Sequence, residues 1–248
     1  MTQHLEGRRL EGVELAAFDL DGTLVDSAPD LSHCLGCALD SVGLARPTED
    51  ETRSWIGDGV EQLVRRGVEH MEARRDRERT PPRRGADPAS PQEPRGSAAD
   101  YEAAYAEFLR CYERNLYVRT RLYPQVEETL DALRDRGIRL CCVTNKRVRF
   151  AEAVLEEARI RDRFELVVGG DSLPEKKPSP AQLRHSAERF RVAPAAALLV
   201  GDSENDCAAA KAAGWSFVWA AYGYGRPAQQ DVRIESFEEL TALVAPRP

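Results

Sequence analysis

Two aspartates, Asp19 and Asp21, stand two positions apart in the run FDLDGT. The mostly apolar residues before them, 13–18, read as a buried strand that runs up to a turn signal at Asp21-Gly22. The two-residue period of a strand turns both carboxylates toward one side of its C-terminal end. Like charges this close repel, and a hard divalent cation with oxygen ligands is the usual way to offset them. A strand cap followed by a plain Asp-Gly turn would not need the first aspartate inside the apolar run.

Elements that could position partners for this pair recur downstream. Apolar runs at 138–143, 165–168 and 195–200 end in Thr144-Asn145-Lys146, in Gly169-Gly170-Asp171 and in Gly201-Asp202. Lys176-Lys177-Pro178 follows the second of these. Helix-like stretches at 126–136, 150–158 and 181–190 precede the three runs. This alternation predicts right-handed crossovers and a parallel sheet, hence an α/β, doubly wound, Rossmann-like core. Ligands of such sheets bind outside the carboxyl ends of the strands, where strand order reverses. Asp19, Asp21, Thr144, Lys177 and Asp202 all fall at or just beyond those ends.

The motifs DLDGT (19–23), VTN (143–145), KKP (176–178) and GDSEND (201–206) stand in order along the chain. Together they resemble the haloacid-dehalogenase-like hydrolase superfamily, from residue 13 to about 244. FDLDGTLVDSAPDL, WIGDG (55–59), VTNK, GGDSLPEKKPSP (169–180), VGDSENDCAAAKAAG and YGYG (222–225) are most similar to its bacterial phosphoglycolate phosphatases. The resemblance implies a Mg²⁺-dependent phosphatase of a small phosphomonoester, 2-phosphoglycolate, working through an aspartyl-phosphate. It also implies roles. Asp19 would be the nucleophile and Asp21 the general acid, then base. Mg²⁺ would be held by the Asp19 carboxylate, the Asp21 carbonyl and Asp202, with Asp206 in or near that set. Thr144, Asn145 and nearby backbone N–H groups would hold phosphate oxygens. Lys177, directly before Pro178, would stabilise developing charge, leaving Lys176 and Lys146 as structural lysines.

Between the first and second strand motifs, Leu31-Leu35-Leu39, Val60-Leu63-Val64 and Tyr101-Tyr105-Phe108-Leu109-Tyr112 recur at helical spacing. These predict a small helical bundle that matches the family's cap domain, inserted after the first strand. The expected division is a core of 1–28 and 123–248 and a cap of 29–122. Substrate choice is expected from the cap, through the turn Gly57-Asp58-Gly59 and through Arg66, a candidate for a substrate carboxylate. Asp58 stands where these phosphatases often carry Asn. Within the cap, residues 72–100 contain no Leu, Ile, Val, Phe, Tyr or Trp and hold five prolines. That composition predicts a flexible insertion.

The net charge of −7, from 35 basic and 42 acidic residues, argues against a nucleic-acid or anionic-membrane partner. Apolar runs are far short of the roughly 20 residues of a membrane span, and residues 1–11 lack a signal-peptide core. The expectation is a cytoplasmic monomer or small homo-oligomer acting on a small phosphorylated metabolite. Cys141, Cys142 and Cys207 read as buried small residues. Cys34 and Cys37 have C-x-x-C spacing on a helical stretch with no second zinc-finger pair, so free thiols are expected, and His33, His70 and His185 look unclustered. A β-phosphoglucomutase-like phosphotransferase would use the same aspartates but must retain the phosphoenzyme. A dehalogenase does not need Asp21. A non-catalytic module would be expected to have lost a carboxylate or Lys177.

Overall fold

A strand buried on both faces is apolar throughout, and Leu15, Ala16, Ala17 and Phe18 are each fully buried. The computed structural model describes residues 10–79 and 98–246. The chain runs through β1 (Leu10–Val13), β2 (Leu15–Phe18), β3 (Val25–Asp26) and four helices: α1 (Ala28–Ser41), α2 (Glu49–Trp55), α3 (Val60–Arg79) and α4 (Ala98–Arg114). Then come β4 (Arg121–Leu122), α5 (Val126–Asp135), β5 (Arg139–Val143), α6 (Val148–Glu157), β6 (Leu166–Val168) and α7 (Ala181–Phe190). The chain continues with β7 (Ala197–Gly201), α8 (Glu204–Ala213), β8 (Ser216–Ala220), β9 (Val232–Ile234), α9 (Leu240–Leu243) and β10 (Val244–Pro246).

The main sheet is parallel throughout, in the order β6-β5-β2-β7-β8-β9. The chain starts at β2, moves outward to β5 and β6, then returns to the other side of β2. Strand order therefore reverses at β2, between β5 and β7, where such sheets bind ligands. Asp19, Thr144 and Asp202 directly follow these three strands. Leu183 and Phe190 of α7 and Ala209 and Ala210 of α8 pack with Leu15, Ala17 and Leu199 in one core.

The predicted strand 13–18 is split at Glu14. Val13 closes β1, which leaves the main sheet to pair with β10, while the Glu14 N–H donates to Ala196 O at 2.8 Å. The run expected at 195–200 starts later, because Pro194–Ala196 forms a 3-10 turn first. Residues 121–122, expected within the helical stretch, instead pair antiparallel with Val25 and Asp26.

Two compact units divide the chain. One comprises residues 1–27, 57–59 and 119–248; the other comprises 28–56 and 60–118. This differs from the expected 29–122 span at its ends, which fall at 28 and 118, and at 57–59, whose backbone is held by side chains of the sheet-bearing unit. In the helical unit, α1 buries Leu31, Cys34, Leu35, Ala38 and Leu39 on one stripe. A capping box between Thr48 and Glu51 opens α2. Tyr105 of α4 donates to Glu61 of α3 at 2.9 Å. The expected insertion 72–100 is corrected at both ends: 72–79 continue α3 and 98–100 open α4. Glu, Arg and Ala are strong helix formers, so a helix nucleated at 60–71 propagates through them without apolar residues. The remainder of that expectation, 80–97, lies outside the described residues.

Candidate active site

The ends of β2 and β7 bring three buried carboxylates together. Asp19, Asp202 and Asp206 each offer an oxygen within 4.8 Å of the others. Lys177, only 2% exposed, enters this group. Its Nζ lies 2.6 Å from Asp206 Oδ1, 2.7 Å from Val143 O and 3.0 Å from Asp19 Oδ1. An ammonium has three donors, and two of them are taken by Asp206 Oδ1 and Val143 O. The contact with Asp19 is at ion-pair distance but off hydrogen-bond alignment, which leaves Asp19 Oδ1 buried without an aligned donor.

Asp206 is committed elsewhere on its second oxygen. Oδ2 accepts from Ser203 N at 3.0 Å and Ser203 Oγ at 2.5 Å, closing the capping box of α8. Asp202 Oδ2 accepts from the N–H groups of Tyr224 at 2.8 Å and Gly225 at 3.1 Å. This cradle requires glycine. At Gly22, φ is +85° and a Cβ would lie 2.6 Å from Asp202 Oδ2; at Gly223 it would lie 2.3 Å from Gly22 O.

Burial raises the Asp19 carboxyl to about 6; Lys177 opposes that rise, while Asp206 and Asp21 add to it. Burial, then Asp206 and Asp19, push Asp202 up to about 8. For Lys177, burial favours loss of the proton, but the Asp19 and Asp206 carboxylates outweigh it and hold the ammonium above its ordinary value. Three carboxylates ionised by a bound cation, against one ammonium, would leave an excess of two negative charges, the charge of one divalent ion. Hard oxygen donors and an undonated Asp19 oxygen fit such an ion.

Asp21 has a different partner. Lys146 Nζ sits 2.8 Å from each of its oxygens, and Ser27 Oγ donates to Oδ1 at 2.5 Å. Lys146, expected as a structural lysine, thus pairs with the acid–base candidate; its position two residues past Thr144, at a strand end, was the available signal. Thr144 is buried, with Oγ1 accepting from Lys146 N at 3.2 Å. Asn145, expected on phosphate, has both amide donors engaged, at 2.9 Å to Gly57 O and 2.9 Å to Lys177 O. Its side chain is a brace, because an amide has only two N–H groups. Lys176 Nζ donates to Asp58 O at 2.7 Å, and Asn205 Nδ2 to Asp58 Oδ1 at 2.6 Å, so the 57–59 turn is fixed from three directions. Arg66 belongs to the helical unit, where Nη1 donates to Trp55 O at 3.0 Å. Gln182 went unnoticed in the sequence. It is fully buried, donating to Thr144 O and Gly169 O while accepting from Lys177 N at 3.2 Å.

A parallel sheet with a lysine-bridged carboxylate cluster at its switch point defines a class, and the chain belongs to it: residues 13–214 match the haloacid dehalogenase-like hydrolase family. Phosphoglycolate phosphatase of Nitrosococcus oceani is 40% identical over 242 residues, covering 95% of this chain and 98% of that protein. The enzyme of the same name from Nitrosospira multiformis is 41% identical over 238 residues, covering 94% and 96%. A crystal structure described as a predicted phosphoglycolate phosphatase, from Haemophilus somnus, superposes with a TM-score of 0.83 at 33% identity, covering 93% of this chain and 97% of that one.

Proposed function

We propose that the chain is a phosphoglycolate phosphatase that hydrolyses 2-phosphoglycolate to glycolate and inorganic phosphate through an aspartyl-phosphate on Asp19. The carrying observation is the buried Lys177 ammonium between Asp19 and Asp206, beside Asp202. In the first half-reaction an Asp19 oxygen attacks phosphorus, the bond to the glycolate oxygen breaks, and Asp21 gives that oxygen a proton. In the second, Asp21 takes a proton from water, which displaces Asp19 from phosphorus. Lys146 and Ser27 orient the Asp21 carboxyl for both transfers. Lys177 stays charged throughout and stabilises the extra negative charge. Thr144 and adjacent backbone N–H groups hold phosphate oxygens.

Asp19, Asp202 and the Asp21 carbonyl would hold Mg²⁺, and Asp206 would act by fixing Lys177. The bound cation supplies charge neutralisation that lets an anionic phosphate approach aspartates. Phosphate release from 2-phosphoglycolate, a hexose phosphate, a nucleotide and p-nitrophenyl phosphate, with and without Mg²⁺, tests this reading. The expected result is the highest kcat/KM on 2-phosphoglycolate, abolished by chelation. Preference for a hexose phosphate or nucleotide would overturn the substrate while leaving the phosphatase.

The substrate carboxylate is assigned to Arg66, with the 57–59 turn shaping the approach. Arg66→Ala should lower kcat/KM for 2-phosphoglycolate by roughly ten- to a hundred-fold more than for p-nitrophenyl phosphate, the worth of a charge-assisted contact. Equal losses on both would reduce Arg66 to a support for its own helix.

A further inference from the structure

The C-x-x-C pair of α1 is not isolated. Cys37 Sγ lies 3.8 Å from His33 Nε2, one helical turn earlier, and Cys111 of α4 joins them. One ligating atom from each of these three residues lies within 4.8 Å of the others. The Cys34 thiol, fully buried, borders Cys111 as well. His33 and Cys37 face the solvent side, so an ion could enter, while Cys111 is buried. Cys34 and Cys37 are free thiols, as expected, but His33 is not unclustered: packing α4 against α1 brings up Cys111, 74 positions from Cys37 in the chain.

From this cluster we infer a zinc-class metal site in the helical unit, with His33, Cys37 and Cys111 as ligands and Cys34 or water in the fourth position. Zinc bonds of roughly 2.3 Å to sulfur and 2.0 Å to nitrogen give tetrahedral edges of roughly 3.5 to 3.8 Å. The observed His33–Cys37 separation of 3.8 Å is about 0.3 Å longer than the nitrogen–sulfur edge, and closure of both this pair and Cys111, now within 4.8 Å, completes the set. Placing His33 and Cys37 at i and i+4 puts both on one helix face.

Polar groups border both sulfurs. Asn115 Nδ2 donates to Cys111 Sγ at 3.5 Å. Arg46, held by Asp40 at 2.8 Å, lowers the cost of ionising Cys37. Supporting donors of this kind tune ligands at metal sites. Without an ion, burial and the neighbouring Cys111 keep Cys37 raised, hence a protonated thiol. Coordination takes both sulfurs as thiolates and His33 as neutral imidazole, and the protons these ligands give up pass to solvent. The site would tie α1 to α4, and it is separate from the oxygen-ligand cluster at the sheet, which suits a harder cation.

The test uses the reduced, chelator-stripped full-length protein titrated with Co²⁺. The expected result is a near-ultraviolet thiolate-to-cobalt charge-transfer band that saturates at one equivalent and is bleached by Zn²⁺. Asp202→Asn, which disables the carboxylate cluster, should keep the band and should still gain melting temperature with Zn²⁺. Cys37→Ser and Cys111→Ser should lose the band, and His33→Gln, a change on the solvent side that does not threaten folding, should weaken Co²⁺ binding about tenfold or more. Absence of the band in wild-type protein whose six thiols all titrate as free would overturn the site. So would a band that survives in the folded His33→Gln and Cys37→Ser proteins with unchanged affinity.

Discussion

Each aspartate at the end of β2 has its own lysine, and this pairing separates their chemistry. Asp19 shares Lys177 with Asp206 and keeps one buried oxygen without an aligned donor, which suits the proposed nucleophile. Asp21 is gripped on both oxygens by Lys146, as an orienting contact requires. Asp19→Asn should therefore reduce kcat at least about a hundredfold, because an amide is no nucleophile. Its far-ultraviolet circular dichroism should be unchanged, since Lys177 keeps Asp206 and Val143 O. Turnover above that level would reassign the nucleophile. Asp202 gives a sign that can be checked. Its carboxyl is raised from 3.8 to about 8, so between those values the folded state holds a proton that the unfolded state has lost. Stability of the cation-free protein from this group is then present at low pH and falls as pH rises through that window. In chelator, Asp202→Asn should show a shallower fall in melting temperature from about pH 5 to 8. Mg²⁺ should stabilise wild type most near pH 8. Identical slopes in the two proteins would refute the assignment.

The site depends on short elements whose placement is held by backbone rather than side-chain chemistry. The turn after β8 supplies Asp202 with two N–H donors, and Gly223 lets that turn lie against Gly22. Gly223→Ala would set a methyl 2.4 Å from Asp202 Cβ, so the turn must move. Overpacking of this kind costs about 1–3 kcal/mol. The expected outcome is a lower melting temperature with at least about a tenfold loss of kcat/KM, and weaker Mg²⁺ binding by calorimetry. Unaltered Mg²⁺ affinity would show that the two backbone donors do not matter to Asp202. The same elements mark the limit of sequence reading. β2, β5, β6 and β7 were legible because strands buried on both faces are unbroken apolar runs. β3 and β4 have two residues each and β9 has three, too few for any period to register. The backbone donors of Tyr224 and Gly225 leave no residue-type signature, and nothing local links Lys146 to an aspartate 125 positions away. Cys111 escaped for the same reason: its neighbours on α1 are set by helix packing, not by spacing.

Over the whole molecule, apolar area is divided between two cores, and the division tells which part of the chain stability depends on. The sheet-bearing unit buries β2 and β7 completely, and among the described residues no helix is long and apolar enough to cross a membrane. The helical unit buries Val68 and Met71 on α3 and Ala104, Phe108 and Tyr112 on α4. Between these two helices, residues 80–97 contribute no Leu, Ile, Val, Phe, Tyr or Trp. Replacing 80–97 with a short Gly/Ser linker should therefore leave melting temperature and Mg²⁺-dependent phosphatase activity nearly unchanged, since a twofold change in the length of a flexible connection alters closure entropy by only about 0.6 kcal/mol. Extending the replacement to 72–100 is a different experiment. It removes the last two turns of α3, with Glu72 at 5% exposure and the Arg74–Glu78 pair at 3.4 Å, and the first turn of α4. Losing the ends of two packed helices should lower the melting temperature by several degrees, as about 1–2 kcal/mol does in a chain of this size. Equal melting temperatures for the two replacements would mean that 72–79 and 98–100 add nothing to the helical unit. A large loss from the shorter one would show that 80–97 carries packing its composition does not predict.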